Sequence, residues 1–290
     1  MTTFVVACST GTLARFPSGG DPATLAAYLR QIEADAVEVL FYGRWREDLR
    51  GAADALRRCG HPIPVVHAEK NLGGAFGSAD PDARADGHRR FLDALRLAEQ
   101  LGARKLVLHL WDRPDSDRFL DRNLDALAAL LPRARDAGIT TCVETIPCDA
   151  SNPVDNVRRC LEHFGVTRPG GDLAVTLDLE FLGWHDCVER ALGSAFGAPV
   201  GAPALVADVH VRDYDGQPFA ADGRRRYLDP GDGRLDFPAI FGALVRQGFN
   251  GPFTYEGAAL PDSADPVAGV NRVLQRMRTW LHEVAARPGA

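Results

Sequence analysis

Four short apolar runs in this chain each end in a side chain that can bind a cation or move a proton. Thr-Thr-Cys-Val-Glu ends at Glu144, Ala-Val-Thr-Leu-Asp at Asp178, Val-Ala-Asp-Val-His at His210 and Pro-Phe-Thr-Tyr-Glu at Glu256. An ionisable group closing a buried strand is costly unless it is paired or holds a metal. Taken singly, such a carboxylate reads most simply as a helix cap, and a strand histidine as a hydrogen-bonded core residue. Four in succession point instead to one shared site. Three carboxylates crowded into a low-dielectric pocket would force some to protonate, and a divalent cation removes that conflict. Hard oxygen donors with one imidazole suit one manganese, magnesium or cobalt ion, and zinc also fits.

The elements that must position these groups follow from the surrounding pattern. The runs are β-branched or aromatic and bounded by Gly, Pro or Asp, as buried parallel strands are. Strands are predicted to begin near Phe4, Ala36, Pro64, Lys105, Thr140, Ala174, Leu205 and Pro252. The starts lie about 35 residues apart on average, close to one βα unit of an eight-stranded barrel. Asp21-Pro22, Asp80-Pro81, Asn152-Pro153 and Asp265-Pro266 each offer a capping side chain followed by a proline suited to the first helical turn. Leu120, Leu124, Leu127 and Leu131 mark one buried helical stripe, and Pro132 should kink or break that helix. A doubly wound open sheet would carry a Gly-rich phosphate turn after its first strand, and Cys8-Ser9-Thr10-Gly11 is not one. The expected fold is therefore a single α/β domain over residues 1–290, a (β/α)8 TIM barrel with its active site at the C-terminal ends of the strands. Two long Gly-rich connections, Asn71 to Ala85 and Tyr214 to Leu235, leave that end and are candidate lids.

Composition sets outer bounds. With 290 residues, 46% hydrophobic and 25% charged, the chain has the make-up of a globular protein, and a net charge of −6 argues against a nucleic-acid surface. No apolar stretch reaches the roughly 18 residues expected of a membrane span. The segment Met1 to Cys8 lacks the basic start and long apolar centre of a secretory leader. Cys8, Cys59, Cys142, Cys148, Cys160 and Cys187 form no CxxC pair, and buried free thiols in a cytoplasmic protein are the simplest account.

Several motifs together resemble the xylose-isomerase-like barrel superfamily of sugar phosphate isomerases and epimerases. Ala-Asp-Ala-Val-Glu-Val-Leu over 34–40 is similar to its second strand, and Leu101-Gly102-Ala103 running into Val107-Leu108-His109 to its fourth. Val143-Glu144-Thr145, Leu177-Asp178, His210-Val211-Arg212-Asp213 and Tyr255-Glu256-Gly257 match the fifth to eighth. Pro230-Gly231-Asp232-Gly233-Arg234-Leu235-Asp236-Phe237 is similar to the family's Pro-Gly-Glu-Gly-x-Ile-Asp-Phe segment. The resemblance implies one divalent metal bound by Glu144, Asp178, His210 and Glu256, and a small carbohydrate substrate. In the family's ketose 3-epimerases the two metal-bound glutamates act as opposed acid and base. Transferred here, Glu144 removes a proton beside a carbonyl and Glu256 returns one on the other face, or the reverse.

The implied activity is isomerisation or epimerisation of a ketose, inosose or related sugar through an enediolate. The alternative is an inosose-type dehydratase, in which the same abstraction ends in loss of a hydroxyl. Relatives often carry histidine three positions after the sixth-strand aspartate, and this chain has Phe181. Relatives of the endonuclease IV type hold three zinc ions. His67 and His109 match two of their further ligands, but Phe181, Arg225 and Tyr227 stand where others are needed, so a multi-metal phosphodiester hydrolase is the lesser alternative. No nucleic-acid or membrane partner is expected, and a homo-oligomer is compatible with this reading.

Five further residues are candidates for substrate contact. His67 and His109 close the third and fourth strands. Trp111 follows His109 at i+2 and either stacks on a sugar ring or plugs the barrel. Glu38 bonds substrate or pins a barrel layer. Arg212 binds an oxyanion or neutralises neighbouring carboxylates. Cys142 beneath Glu144 reads as packing, and Arg224-Arg225-Arg226 as a solvated run.

Overall fold

Eight short strands pair in parallel in chain order, and the first also pairs with the eighth, which closes a barrel. The computed structural model describes residues 4–14, 20–167, 169–196, 205–257 and 265–286. Residues 1–3 of the segment weighed as a leader lie outside them. The chain runs β1 (Val5–Ser9), α1 (Thr10–Leu13), α2 (Pro22–Leu29), β2 (Ala36–Leu40), α3 (Leu49–Arg57) and β3 (Val65–His67). It continues through α4 (Leu72–Gly77), α5 (Pro81–Leu101), β4 (Lys105–Leu108), α6 (Leu120–Asp136), β5 (Thr140–Glu144) and α7 (Pro153–His163). The last third holds β6 (Leu173–Asp178), α8 (Leu179–Trp184), α9 (Val188–Arg190), β7 (Val206–Val211), α10 (Phe237–Arg246), β8 (Pro252–Tyr255) and α11 (Pro266–Ala285). Every strand begins within one residue of the expected position.

The helices start where their caps put them. Asp21, Asp80, Asn152 and Asp265 each accept a backbone N–H from the first turn of the following helix, and the proline occupies its opening position. Those caps satisfy donors that the helix itself cannot. Leu120, Leu124, Leu127 and Leu131 are all buried. Pro132 does not break the helix, which runs on to Asp136 with Leu130, Leu131 and Ala134 buried around it. All six cysteines are buried and unpaired. Among the described residues, no helix is long and apolar enough to cross a membrane.

The two long connections are not alike. Asn71 to Ala85 is mostly helix, and a side chain at Gly73 would meet the Trp111 backbone at 2.3 Å. That close packing makes it a wall rather than a lid. Tyr214 to Leu235 is irregular, but the Asp213 carboxylate accepts from the backbone N–H groups of Gly231, Gly233 and Leu235 at 2.8–3.1 Å. The Pro-Gly-Asp-Gly segment is thus tied to the end of β7, and the loop before it carries Phe219 and Arg225.

Inside the barrel, Val65, Val107, Cys142 and Ala174 form a small apolar layer, with Ala207 packed against it. Cys142 is packing, as expected. Between β6 and β7 the register shifts by one: Val175 pairs with Val206, but Thr176 pairs with Asp208. Ala207 is the extra residue, and both it and Asp208 face inward, the latter accepting from Thr254 Oγ1 at 2.9 Å. The shift sets His210, not Val209, opposite Asp178, because a one-residue change of register flips every side chain beyond it. Lys105 Nζ donates to the bulged Ala207 carbonyl at 2.6 Å, and a side chain at Gly251 would meet that oxygen at 2.2 Å. Gly251→Ala should therefore lower stability by about 1–3 kcal/mol, the usual range for overpacking. Chemical denaturation with unchanged slope would measure it; wild-type stability would mean the bulge yields freely.

Candidate active site

The ends of β5 to β8 bring Glu144, Asp178, His210 and Glu256 together, each at most 5% exposed. One donor atom from each of the four lies within 4.8 Å of the others. His210 Nδ1 is 3.0 Å from Glu144 Oε1 and 3.7 Å from Glu256 Oε2. Its Nε2 faces the barrel interior, 2.9 Å from Glu38 Oε2 and 3.3 Å from Asp208 Oδ2. Two acidic groups behind the ring therefore hold its other nitrogen toward the mouth.

Glu144 is the most heavily contacted member. Its Oε2 lies 3.0 Å from His67 Nε2 and 2.9 Å from His109 Nε2. His109 Nδ1 in turn meets Asp112 Oδ2 at 3.0 Å. Burial alone would raise the Glu144 carboxyl, but the charges on His109 and His210 overcome it and hold the group well below the ordinary carboxylate range. Burial disfavours charge on His109 as well, yet Glu144 and Asp112 bring its pKa up to about 9. Burial likewise opposes charge on His210, and Glu38, Glu144 and Glu256 override it, so the ring is held well above its ordinary value.

Asp178 and Glu256 share the other cation. Arg212 donates to Asp178 Oδ2, approaches Glu256 Oε2 at 3.4 Å and reaches Glu180 Oε2 with Nε at 3.2 Å. Asp178 Oδ1 also caps α8 by accepting the Phe181 N–H at 2.9 Å. Burial pushes Asp178 up to about 7 despite Arg212, with Glu144, Glu180 and Glu256 adding to the rise. For Glu256, burial is outweighed by Lys70, Arg212 and His210, and its carboxyl sits below the ordinary value. Lys70 Nζ lies 3.6 Å from Glu256 Oε1.

A cavity of about 540 Å3 adjoins this cluster. His109 borders both, while the four donors themselves do not line it. Its walls include Phe181, Trp184, Phe219 and Arg225. Arg225 pairs with Glu180 at 2.5 Å and lies 5.2–5.7 Å from the ring centres of Trp184, Phe181 and Tyr227.

Several expectations change on this geometry. Trp111 is fully buried and donates its indole N–H to Pro147 O at 3.1 Å, so it offers the cleft no surface for stacking. Glu38 is equally buried and faces His210 from behind, which is the layer-pinning alternative. Arg212 compensates carboxylates. Arg225 is not solvated: its side chain is 19% exposed, against 87% for Arg224. Glu180, Lys70, Asp112, Trp184 and Phe219 escaped sequence reasoning. Glu180 and Asp112 lie two and three residues beyond Asp178 and His109, a proximity that offered a signal for them.

A closed parallel barrel with ionisable groups at one mouth belongs to the class whose active sites form at strand C-termini. The xylose isomerase-like TIM barrel family model matches residues 26–280, and the chain belongs to that family. Among solved structures it is similar to a D-tagatose 3-epimerase-like protein, with TM-score 0.69 and 19% identity over 98% of this chain and 100% of that one. An L-ribulose 3-epimerase gives TM-score 0.72 and 18% identity over 98% and 96%. A xylose isomerase domain protein from Alicyclobacillus acidocaldarius gives 0.73 and 18% over 98% and 100%. At such identities the likeness shows the fold. A comparison with curated protein sequences finds no match.

The support behind His210 is testable. Glu38→Gln keeps an acceptor but removes the charge, and outer partners of a ligating histidine typically change metal affinity 10–100-fold. If His210 ligates a cation, competition with a fluorescent chelator should show manganese, used as the probe, bound more weakly by about that factor. Unchanged affinity would make Glu38 a packing residue only.

Proposed function

We propose that this protein is a divalent-metal-dependent isomerase or epimerase that moves a proton next to the carbonyl of a ketose, inosose or related sugar. The observation that carries the reading is the mutual approach of three carboxylates and one imidazole within 4.8 Å, all buried. The donor set fits a cation: Glu256 Oε2 is buried with no hydrogen-bond partner, and both Asp178 and Glu256 now lean on one guanidinium. Glu144, Asp178, His210 and Glu256 would hold the ion, with manganese, magnesium or cobalt favoured by the oxygen-rich set. When bound, it supplies polarisation of the substrate carbonyl and so acidifies the neighbouring C–H.

The chain's own groups then divide the work. Glu144, kept ionised by His109 and His210, takes the proton from carbon. Glu256, itself held ionised, returns a proton on the other face by drawing it from the Lys70 ammonium 3.6 Å away, or the two exchange roles. His67 and His109 each bring Nε2 within 3.0 Å of Glu144 Oε2 and fix the orientation of the carboxylate. Closed walls around the cluster exclude bulk water, which strengthens each of these contacts. The acidic mouth and the sugar epimerases among the structural neighbours both support a small carbohydrate as partner. We read the chain as one domain.

Purified protein should carry close to one divalent ion per chain, and chelation should stop turnover. In deuterium oxide, product should gain deuterium at the carbon beside the carbonyl. Glu144→Gln should abolish that exchange, by at least about 100-fold given the usual contribution of a general base, while circular dichroism stays native. Full exchange in this variant would end the proposed mechanism, and a product lighter by one water would reassign the enzyme as a dehydratase.

A further inference from the structure

The cavity that shares His109 with the cluster is walled by many polar side chains, and most of them are already engaged. His109 turns Nδ1 to Asp112 and Nε2 to Glu144. Asp112 also accepts from the backbone N–H groups of Asn71 and Arg113. Ser116 donates its hydroxyl to Asp117, while Arg225 pairs with Glu180 and donates to Pro218 O. Arg113 and Asp149 are exposed. His185 differs from all of these. It is half-buried, with one ring nitrogen bonded and the other without a hydrogen-bond partner among the described residues.

The bonded nitrogen fixes the state of the ring. The Cys148 backbone N–H donates to His185 Nε2 at 3.2 Å. A backbone N–H can only donate, so Nε2 must present its lone pair, and a neutral imidazole then carries its proton on Nδ1. A proton added to Nε2 would break that bond. Burial also lowers the pKa of the ring, despite Asp117 and Asp149 nearby. His185 is therefore a neutral ring with one N–H to give.

Its position is as firmly set as its proton. His185 closes α8, donating its backbone N–H to Phe181 O at 3.2 Å. Its carbonyl accepts from Cys187 Sγ at 3.2 Å, and Trp184 lies against the ring with centres 6.1 Å apart and planes at 25°. The same six-residue helix opens at Asp178, whose carboxylate caps it. At a rise of about 1.5 Å per residue, Asp178 and His185 stand about 10 Å apart along it. One sugar can bridge two side chains set at that spacing.

Resting on the proposed function, we infer that His185 is a substrate-binding residue that donates its Nδ1–H to a hydroxyl of the same sugar whose carbonyl sits at the cluster. The donor is uncharged and pre-oriented, so it suits a neutral hydroxyl oxygen and loses little freedom on binding. It selects sugars with an oxygen at the right distance from the reacting carbonyl.

Titration of the intact protein with D-fructose and its monodeoxy analogues, followed by ring-nitrogen NMR of His185, tests this. The free protein at neutral pH should show a proton on Nδ1 and none on Nε2, and D-fructose should shift the Nδ1 resonance. His185→Phe should weaken D-fructose binding about 3–10-fold, the usual range for one neutral hydrogen bond. One monodeoxy analogue should bind the wild type more weakly by the same factor and bind the Phe variant as well as D-fructose does. His185→Gln offers an acceptor to Cys148 and a donor to the sugar, so it should recover most of the affinity. If the Phe variant folds poorly, the Gln variant and the analogues still decide. A proton on Nε2, no Nδ1 shift with saturating sugar, or equal binding of every analogue to the wild type would overturn the inference. Solvent exchange reports separately on the proposed reaction: a His185 contact without exchange sinks only the chemistry, and exchange without the contact sinks only this assignment.

Discussion

The site is governed by the repulsion among carboxylates that a closed barrel forces together. Two unit charges 4 Å apart interact by about 4 kcal/mol at an effective dielectric near 20. Glu144, Asp178 and Glu256 each face at least one other at such range, with Glu38, Glu180 and Asp208 close behind. No folded chain of ordinary stability tolerates several uncompensated terms of that size. Arg212, His210 and His109 answer them, and the pKa directions record the bargain. Glu144 stays ionised between two imidazoles, while Asp178, with one shared guanidinium, is driven toward neutrality.

That balance needs correct register more than correct residue types. In β7 the bulge at Ala207 places two inward residues in succession, after which alternation resumes with His210 and Arg212 on the site face. Without it Val209 would stand opposite Asp178 and the imidazole would point into the helical layer. Lys105 holds the bulged carbonyl from three strands away, across the small residues of the inner layer. Barrel packing and site chemistry therefore meet at one irregular residue pair. Such bulges recur beside active sites because they re-aim a side chain without breaking the sheet.

Much of the architecture was legible in the chain itself. Strand starts followed from buried β-branched runs, and four helix starts from an Asp or Asn before proline. The acidic and imidazole strand ends could be read because alternation is rigid within a strand. What stayed hidden depended on partners remote in sequence. Trp111 sits two residues beyond His109, which suggested a shared face, but the strand ends at Leu108 and alternation no longer applies. Arg225 looked like its neighbours Arg224 and Arg226, and only the fold brings Glu180 within 2.5 Å of it. The Asn71 to Ala85 segment read as a loop because its glycines suggested freedom. Gly73 serves instead to let the α4 backbone lie against Trp111.

Arg212 makes the last link between charge and function. A cation bound by Asp178 and Glu256 would compete for the same oxygens that the guanidinium now holds. Stripping a buried arginine of its partners costs about 3–5 kcal/mol when nothing replaces them. Here Glu180 would remain as a partner: it already lies 3.2 Å from Arg212 Nε and is itself anchored by Arg225. Phe181 adds a ring 4.7 Å from the guanidinium carbon. The arginine thus has a second carboxylate and an aromatic face to rest on once the oxygens are taken. Its charge balances the carboxylates around it, and through Glu180 the loop that carries Arg225 becomes part of that balance.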